Sequence, residues 1–408
     1  MNNNEGIKKL DSQVIAGITR KLPDGMMPLT AKNHTYRTPT ALRIIIAGGG
    51  TGGHLFPGIA IAQEFVARDP DTEILFVGTG KPFEISVLSA AGFKQKKITA
   101  EGIKARGLVK QIVSICKIPR GIYESILILR GFKPDLVVGV GGYAAGPLVM
   151  SAWLLRIRIA LHEQNILMGI TNRILSRIAD RVFVSFENTH LDINSRNVRI
   201  TGNPVRREIL QSAGNQNTRT VEPSGKPRPF TILILGGSQG AHGLNLAVME
   251  AVKHIKGKEA FFFIHQTGPQ DASMVQNAYQ GSGIAATVQA FFPDMARQYQ
   301  KADLVICRAG ATTVAEITAI GKGVVLVPFP FAADNHLVLN ARTLTDAGAA
   351  EMILQHDLDG RLLADKIEYF GSNPEALGRM ASRARSIGRP HAAKLIVDDC
   401  YRLVDSSS

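Results

Sequence analysis

Apolar positions first fall into a regular pattern at Arg43-Ile44-Ile45-Ile46-Ala47, a β-branched run of the kind buried on both faces of a parallel sheet. The run breaks at Gly48-Gly49-Gly50-Thr51-Gly52-Gly53-His54. After Pro57, apolar Ile59, Ala62, Phe65 and Val66 recur at helical spacing. Strand, turn and helix then alternate, with strands predicted at 43–47, 74–77, 136–140, 158–161 and 182–184. Such a series is a βαβ succession and implies a parallel sheet. A polar stretch at 211–229, rich in Ser, Asn, Gly and Pro, interrupts it. The theme then restarts with the strand Phe230–Leu235 and the loop Gly236-Gly237-Ser238-Gln239-Gly240, followed by strands at 261–265, 286–290, 304–307 and 324–327. The expected fold class is therefore α/β, with two similar doubly wound parallel-sheet domains at 41–210 and 230–385, a linker at 211–229, and loop edges facing a cleft. Residues 1–40 read as a flexible extension, and the amphipathic segment 386–408 as a helix packing back on the first domain.

The first glycine loop is not a P-loop, which needs Lys then Ser or Thr after its last glycine; here His54 and Leu55 follow. Gly48, Gly50 and Gly53 do satisfy the dinucleotide spacing G-x-G-x-x-G. That spacing calls for an acid at the end of the second strand. The strand Ile74–Val77 instead runs into Gly78-Thr79-Gly80, which argues against a nucleotide cofactor at this loop. The alternative is a tight strand–helix turn with no ligand. A further glycine loop, Gly139–Pro147, follows the strand at 136–138. Loops that follow strands of one parallel sheet share one edge, where ligands bind.

Composition narrows the choice of partners. The 408 residues are 45% hydrophobic and 20% charged, with room for two sizeable cores. Cys116, Cys307 and Cys400 are too scattered for a metal pattern or a disulfide framework, which suits a reducing compartment. The net charge of +13 favours phosphates or an anionic membrane surface. Nucleic acid is disfavoured, because no basic run with interleaved aromatics is present. No apolar run reaches the ~18 residues of a membrane span. The first forty residues lack the apolar core of a secretory signal. Basic Lys104, Arg106, Lys110, Lys117 and Arg120 surround apolar Leu108, Ile112, Val113, Ile115 and Ile118. This reads as a membrane-surface patch or as an ordinary amphipathic core helix.

Several side chains stand out as chemistry, each beside a plainer reading. His54 leaves a glycine loop and brings an imidazole there, so it is a candidate proton acceptor or a histidine bonded to the turn. Ser238 suits a phosphate oxygen or the cap of the following helix. Thr313-Val314-Ala315-Glu316 is a T-x-x-E capping-box pattern. Arg206, after the turn Asn203-Pro204, carries a fork of donors that suits phosphate, yet most arginines are simply solvated. Phe292 is either a site residue or a core phenylalanine. No metal centre is read from the sequence, so backbone N–H groups at glycine loops and helix starts are the expected partners of an anion.

Six segments in register point further. Gly-Gly-Thr-Gly-Gly-His at 49–54, Gly-Val-Gly-Gly-Tyr at 139–143 and His162-Glu163-Gln164-Asn165 are three of them. Gly202-Asn203-Pro204-Val205-Arg206, Gly236–Ala241 and Arg308–Glu316 complete the set. Together they resemble the MurG family of N-acetylglucosaminyltransferases, from about residue 41 to 400. The resemblance implies a GT-B fold of two Rossmann-like domains. It implies transfer of N-acetylglucosamine from its UDP form to the C4 hydroxyl of undecaprenyl-linked lipid I, with inversion, giving lipid II of peptidoglycan. It implies no cofactor and no metal, and a peripheral place on the cytoplasmic face of the bacterial inner membrane. The donor falls mainly to the C-terminal domain and the acceptor to the N-terminal one.

By the same resemblance Ser238 and Gln239 meet the diphosphate, Glu316 the two ribose hydroxyls and Arg206 the donor. The backbone at Phe292 meets uracil, and Thr51, Gly52, Gly53, Asn165 and Asn172 lie near the sugar and acceptor. Ala311, Thr312 and Thr313 offer helix-start amides. His54 is the leading base, Glu163 a second, and Tyr143 and His162 orient the acceptor. One departure stands out: Asp334-Asn335-His336-Leu337 has leucine where the family shows a glutamine that bonds the donor sugar, with His336 as its substitute. Two other readings are another GT-B transferase acting on a membrane lipid and a catalytically dead UDP-sugar-binding scaffold. Oligomeric state is not legible.

Overall fold

The computed structural model describes residues 41–101, 117–189, 197–213, 228–329 and 335–406. The extension 1–40, most of the basic–apolar stretch at 104–120, most of the linker and Asp334 lie outside these residues.

Among the described residues thirteen strands form two sheets. The first holds β1 Arg43–Gly48, β2 Glu73–Gly78, β3 Lys94–Lys97, β4 Leu136–Gly141, β5 Arg158–Glu163, β6 Arg181–Val184 and β7 Val198–Ile200, in the order β3-β2-β1-β4-β5-β6-β7. The second holds β8 Phe230–Leu235, β9 Phe261–Gln266, β10 Ala285–Gln289, β11 Leu304–Cys307, β12 Gly323–Leu326 and β13 Glu351–Met352, in the order β10-β9-β8-β11-β12-β13. Every ladder is parallel. Ile44, Ile45 and Ile46 have no exposed surface, as a strand covered on both faces requires.

Strands β3, β7 and β13 were not predicted. Each lies at the end of a sheet, where one side needs no burial. β3 reads Lys-Gln-Lys-Lys, and β13 spans two residues, so neither carries an apolar signal. In each sheet the strand order reverses beside the first strand, between β1 and β4 and between β8 and β11. Ligands of open parallel sheets bind outside the strand ends at such a point.

The chain crosses between the domains twice. Val205 and Ile209 pack in the second core with Leu235, Phe292 and Tyr299. Both lie inside the stretch 41–210 expected for the first domain, yet their apolar side chains find cover in the second core. At the other end, the helix Ala392–Asp405 lays Ile396, Val397, Cys400 and Leu403 into the first core beside Ile44 and Phe65. Arg181 to Asp399 at 3.0 Å and Arg68 to Asp398 at 2.7 Å pin that helix down.

Candidate active site

A cavity of ≈ 320 Å³ lies between the two strand-end edges. From the first domain come Thr51, Gly52, Gly53 and His54 after β1, and Gln164 and Asn165 after β5. From the second come Ser238 after β8, Phe292, and Arg308, Ala311, Thr312, Thr313 and Glu316 after β11. His336 and Leu337, at the start of the helix His336–Asp346, close one side, and Arg206 stands at the crossing. Most of the expected site residues thus share one space. Tyr143, Asn172, Glu163 and Gln239 are not on its wall; Tyr143 is half exposed on its loop.

His54 is half-buried, and its Nδ1 lies 3.1 Å from both Val140 O and Gln164 Oε1. The ring thus bonds strand β4 and the segment after β5 rather than its own turn, and His54 lies on the cleft wall. Glu163, the second candidate base, is corrected: it is buried and accepts from Asn165 N, Gly169 N and Asn172 Nδ2 at 2.9–3.1 Å. So bonded, the carboxylate braces the turn after β5 and is not on the cavity wall. Asn172 is likewise buried, giving its amide to His162 O and Glu163, so it shapes the site from behind.

Both capping readings fail. The helix Ala311–Ile320 is capped by Gly310, so Thr313 and Glu316 lie inside it rather than at a capping box. The helix after the third glycine loop begins at His242 with Ala241 as its cap, which frees Ser238 for the cleft.

Glu316 sits on the buried side of its helix. Its Oε1 accepts from Arg206 Nη2 at 3.0 Å, and its Oε2 from the Tyr299 hydroxyl at 3.0 Å. Each carboxylate oxygen retains a second lone pair. Arg206 is buried, not solvated, with its guanidinium 4.0 Å from the centre of the Phe56 ring. Burial works against its charge, but Glu316 and Glu208 outweigh that and raise its pKa. Burial, with Glu316 nearby, keeps the Tyr299 hydroxyl protonated and so a donor. Phe292 lines the cleft and packs in the second core, and its N–H donates to Gln266 Oε1 at 3.0 Å.

The two walls also touch. Thr312 Oγ1 donates to Gly53 O at 3.0 Å, and buried Asn340 bonds Ala309 O, Asn165 Oδ1 and Ile166 N at 3.2–3.3 Å. Gln164, Tyr299, Gln266 and Arg308 were missed as site residues. Gln164 and Arg308 belong to motifs already singled out; nothing in the sequence marks Tyr299.

Among the described residues, no group of three or more His, Cys, Asp or Glu side chains could hold a metal ion. Two Asp-x-Asp spacings escaped the sequence reading. In Asp69-Pro70-Asp71 the first carboxylate bonds Asp71 N, and in Asp357-Leu358-Asp359 the last caps a helix through Leu362 N.

Residues 44–184 match the glycosyltransferase family 28 N-terminal domain, and residues 231–396 its C-terminal domain. The UDP-N-acetylglucosamine–N-acetylmuramyl-(pentapeptide) pyrophosphoryl-undecaprenol N-acetylglucosamine transferase of Anaeromyxobacter sp. (strain Fw109-5) is 47% identical over 364 residues, 89% of this chain and 94% of the relative. The protein of that name from Syntrophus aciditrophicus (strain SB) is 45% identical over 370 residues, 89% and 99% of the two chains. The crystal structure of Acinetobacter baumannii MurG superposes with a TM-score of 0.67 at 33% identity, covering 88% of this chain and 99% of that one. A UDP-N-acetylglucosamine 2-epimerase from Neisseria meningitidis, at 15% identity and a TM-score of 0.61, shares the fold. With a catalytic-type cleft, a GT-B architecture and this degree of identity, the chain belongs to the MurG family of glycosyltransferases, within glycosyltransferase family 28.

Proposed function

We propose that this protein transfers N-acetylglucosamine from UDP-N-acetylglucosamine to the C4 hydroxyl of lipid I, with inversion, giving lipid II. The observation that carries the reading is the make-up of the cleft. A histidine loop from one sheet faces a serine loop, a helix start and a glutamate from the other across one cavity. In this reading the acceptor oxygen attacks the sugar carbon from the side away from the diphosphate. Its proton passes to His54, and UDP leaves with the bonding electron pair. Arg308, the Ser238 hydroxyl and the amides of Ala311, Thr312 and Thr313 meet the departing charge. The remaining lone pairs of Glu316 take the ribose hydroxyls. Leu337 leaves the donor sugar an apolar neighbour on this wall, beside His336.

UDP release tests the proposal. Release is expected only when UDP-N-acetylglucosamine and a lipid I analogue are both present, and it should survive chelation of divalent cations. His54→Ala should lower kcat by ~10²–10⁴-fold. Full turnover by that variant, or a preference for another nucleotide sugar or acceptor lipid, overturns it.

A peripheral place on an anionic membrane, at the cytoplasmic face, is part of the same proposal. Among the described residues no helix is long and apolar enough to cross a membrane. The helices Ile118–Phe132 and Ala145–Leu154 carry exposed Tyr123, Leu127, Trp153 and Leu154, with Arg120, Arg130 and Arg156 exposed nearby in sequence. Apolar side chains ringed by cations suit an anionic lipid surface. Binding to vesicles containing anionic lipid should weaken as salt rises; binding indifferent to salt overturns the electrostatic part.

A further inference from the structure

Three side chains run in a line back from the cleft wall. Gln164 Nε2 lies 2.8 Å from Val140 O, and only its NH₂ can face a carbonyl at that distance. The amide is therefore oriented without ambiguity. Its other hydrogen meets His162 Nδ1 at 3.1 Å, and its Oε1 meets His54 Nδ1 at 3.1 Å. His162 Nδ1 must then be the bare nitrogen, with Nε2–H given to Gly202 O at 3.3 Å. His162 has no exposed surface, and burial pushes its pKa down to about 4, so it is neutral at physiological pH. His54 Nδ1 faces two acceptors, Val140 O and Gln164 Oε1, and must carry the proton.

We infer that Gln164 and His162 are positioning residues that lock His54 in its Nδ1–H tautomer, so that Nε2 is the basic atom presented to the acceptor hydroxyl. The chain of bonds starts and ends on backbone carbonyls, Gly202 and Val140, which cannot rearrange their roles. As the acceptor oxygen bonds to the sugar carbon and the bond to UDP breaks, the hydroxyl proton moves to Nε2. The imidazolium that forms keeps Nδ1–H on the same two acceptors. Few charges surround His54. His162 is reached through Gln164, and Glu163 is turned to its own amides. Arg206 and Glu316, on the facing wall, pair with each other at 3.0 Å.

The inference rests on His54 as the base, and the two can fail separately. ¹⁵N spectra of histidine-labelled wild-type protein report the tautomer without any substitution. The Nδ1–H form is expected, and an Nε2–H resting form overturns the lock. Gln164→Leu should lower kcat about tenfold or more, with the donor KM within twofold. Gln164→Glu places a carboxylate against Nδ1–H and should move the acid limb of the kcat profile up by about one pH unit or more. A side chain that merely fills space would leave that limb in place, and either wild-type kcat in Gln164→Leu or an unmoved limb in Gln164→Glu counts against the inference. Failure of the base role shows separately, as wild-type kcat in His54→Ala with the Nδ1–H tautomer intact in the parent.

Discussion

The glycine loops after β1 and β8 leave equivalent strands of two parallel sheets, and both end at a helix start. In the first, Gly50 N–H is given to the carboxylate of Glu84 at 2.5 Å. Glu84 has almost no exposed surface, and it also accepts from the Thr79 hydroxyl and Gly80 N at 2.8 Å each. A Cβ at Gly49, where φ is +152°, would stand 2.7 Å from the same carboxylate. Among the described residues the loop after β8 has no such plug. A Cβ at Gly237 would meet nothing within 4 Å, and Ser238 faces the cleft. Free N–H groups at a strand–helix turn attract an anion. The first domain supplies its own from within the fold, which turns the loop into a rigid mount for His54. The second leaves its loop open toward the cavity, where a ligand's phosphate suits it.

The widest gap between the two loops should appear on removing the internal anion. Glu84→Ala leaves three half-buried donors without their carboxylate and should cost about 2–3 kcal/mol of stability. Urea unfolding of the first domain measures it. A loss below about 1 kcal/mol would mean that the carboxylate is incidental and the loops are alike.

Each domain also hides a neutral histidine behind its loop. His162 is held by Gln164 and Gly202 O, and His265 by Tyr279 and Asn245. Burial lowers the first to about 4 and the second to about 3. An unfolded histidine near 6.5 binds its proton first, so the unfolded state gains as pH falls. The stability contributed is whole above 6.5 and drains away as pH drops through the window down to the folded values. By about pH 4 each site should have lost up to ~3 kcal/mol. His265→Gln should flatten the second domain's share between pH 6.5 and 4 while leaving the first domain's in place. An unchanged acid profile in that variant would show that His265 is not the titrating group.

Much of this contrast was hidden from the sequence, for identifiable reasons. The two sheets were legible because runs such as Ile44–Ile46 and Thr231–Leu235 must be buried on both faces. The edge strands β3 and β13 were not, since edges owe nothing to apolar pattern. The dinucleotide reading of the first loop was set aside for want of an acid after Val77. An acid is there after all, six residues past Gly78 in the next helix, and turned inward. Glu316 was legible as important but not as part of a buried triad, because its partners Arg206 and Tyr299 are distant in the chain and meet only in the fold. Glu163 misled because an acid after a strand end looks free until its three amide donors are seen.

Glu316→Gln asks how far the open side depends on that triad. The amide keeps the shape but loses the charge opposite Arg206, whose guanidinium stays buried. Donor KM should rise about 10- to 30-fold, about 1.4–2 kcal/mol, with a stability loss of similar size. Stability lost with donor KM unchanged would make the glutamate a strut of the second domain and nothing more. The truncation Glu316→Ala should cost more stability still, since it leaves Arg206 with Glu208, at 3.7 Å, and the Phe56 ring.

Ser238→Ala should have the smallest effect and bears most directly on the comparison. The hydroxyl caps no helix, and among the described residues none is bonded to it. Its removal should therefore leave stability within about 0.5 kcal/mol, as for a surface change away from any special feature. If it grips a phosphate oxygen, the lost bond to a charged acceptor should raise donor KM about 5- to 10-fold, near 1 kcal/mol, with kcat within twofold. Competition by UDP alone should weaken by the same factor, since the hydroxyl meets the nucleotide rather than the lipid. The opposite pattern, a destabilised second domain with donor and UDP affinity intact, would make this loop a self-contained turn like the one Glu84 fills. The division between a mount for the base and a grip for the leaving group would then be lost.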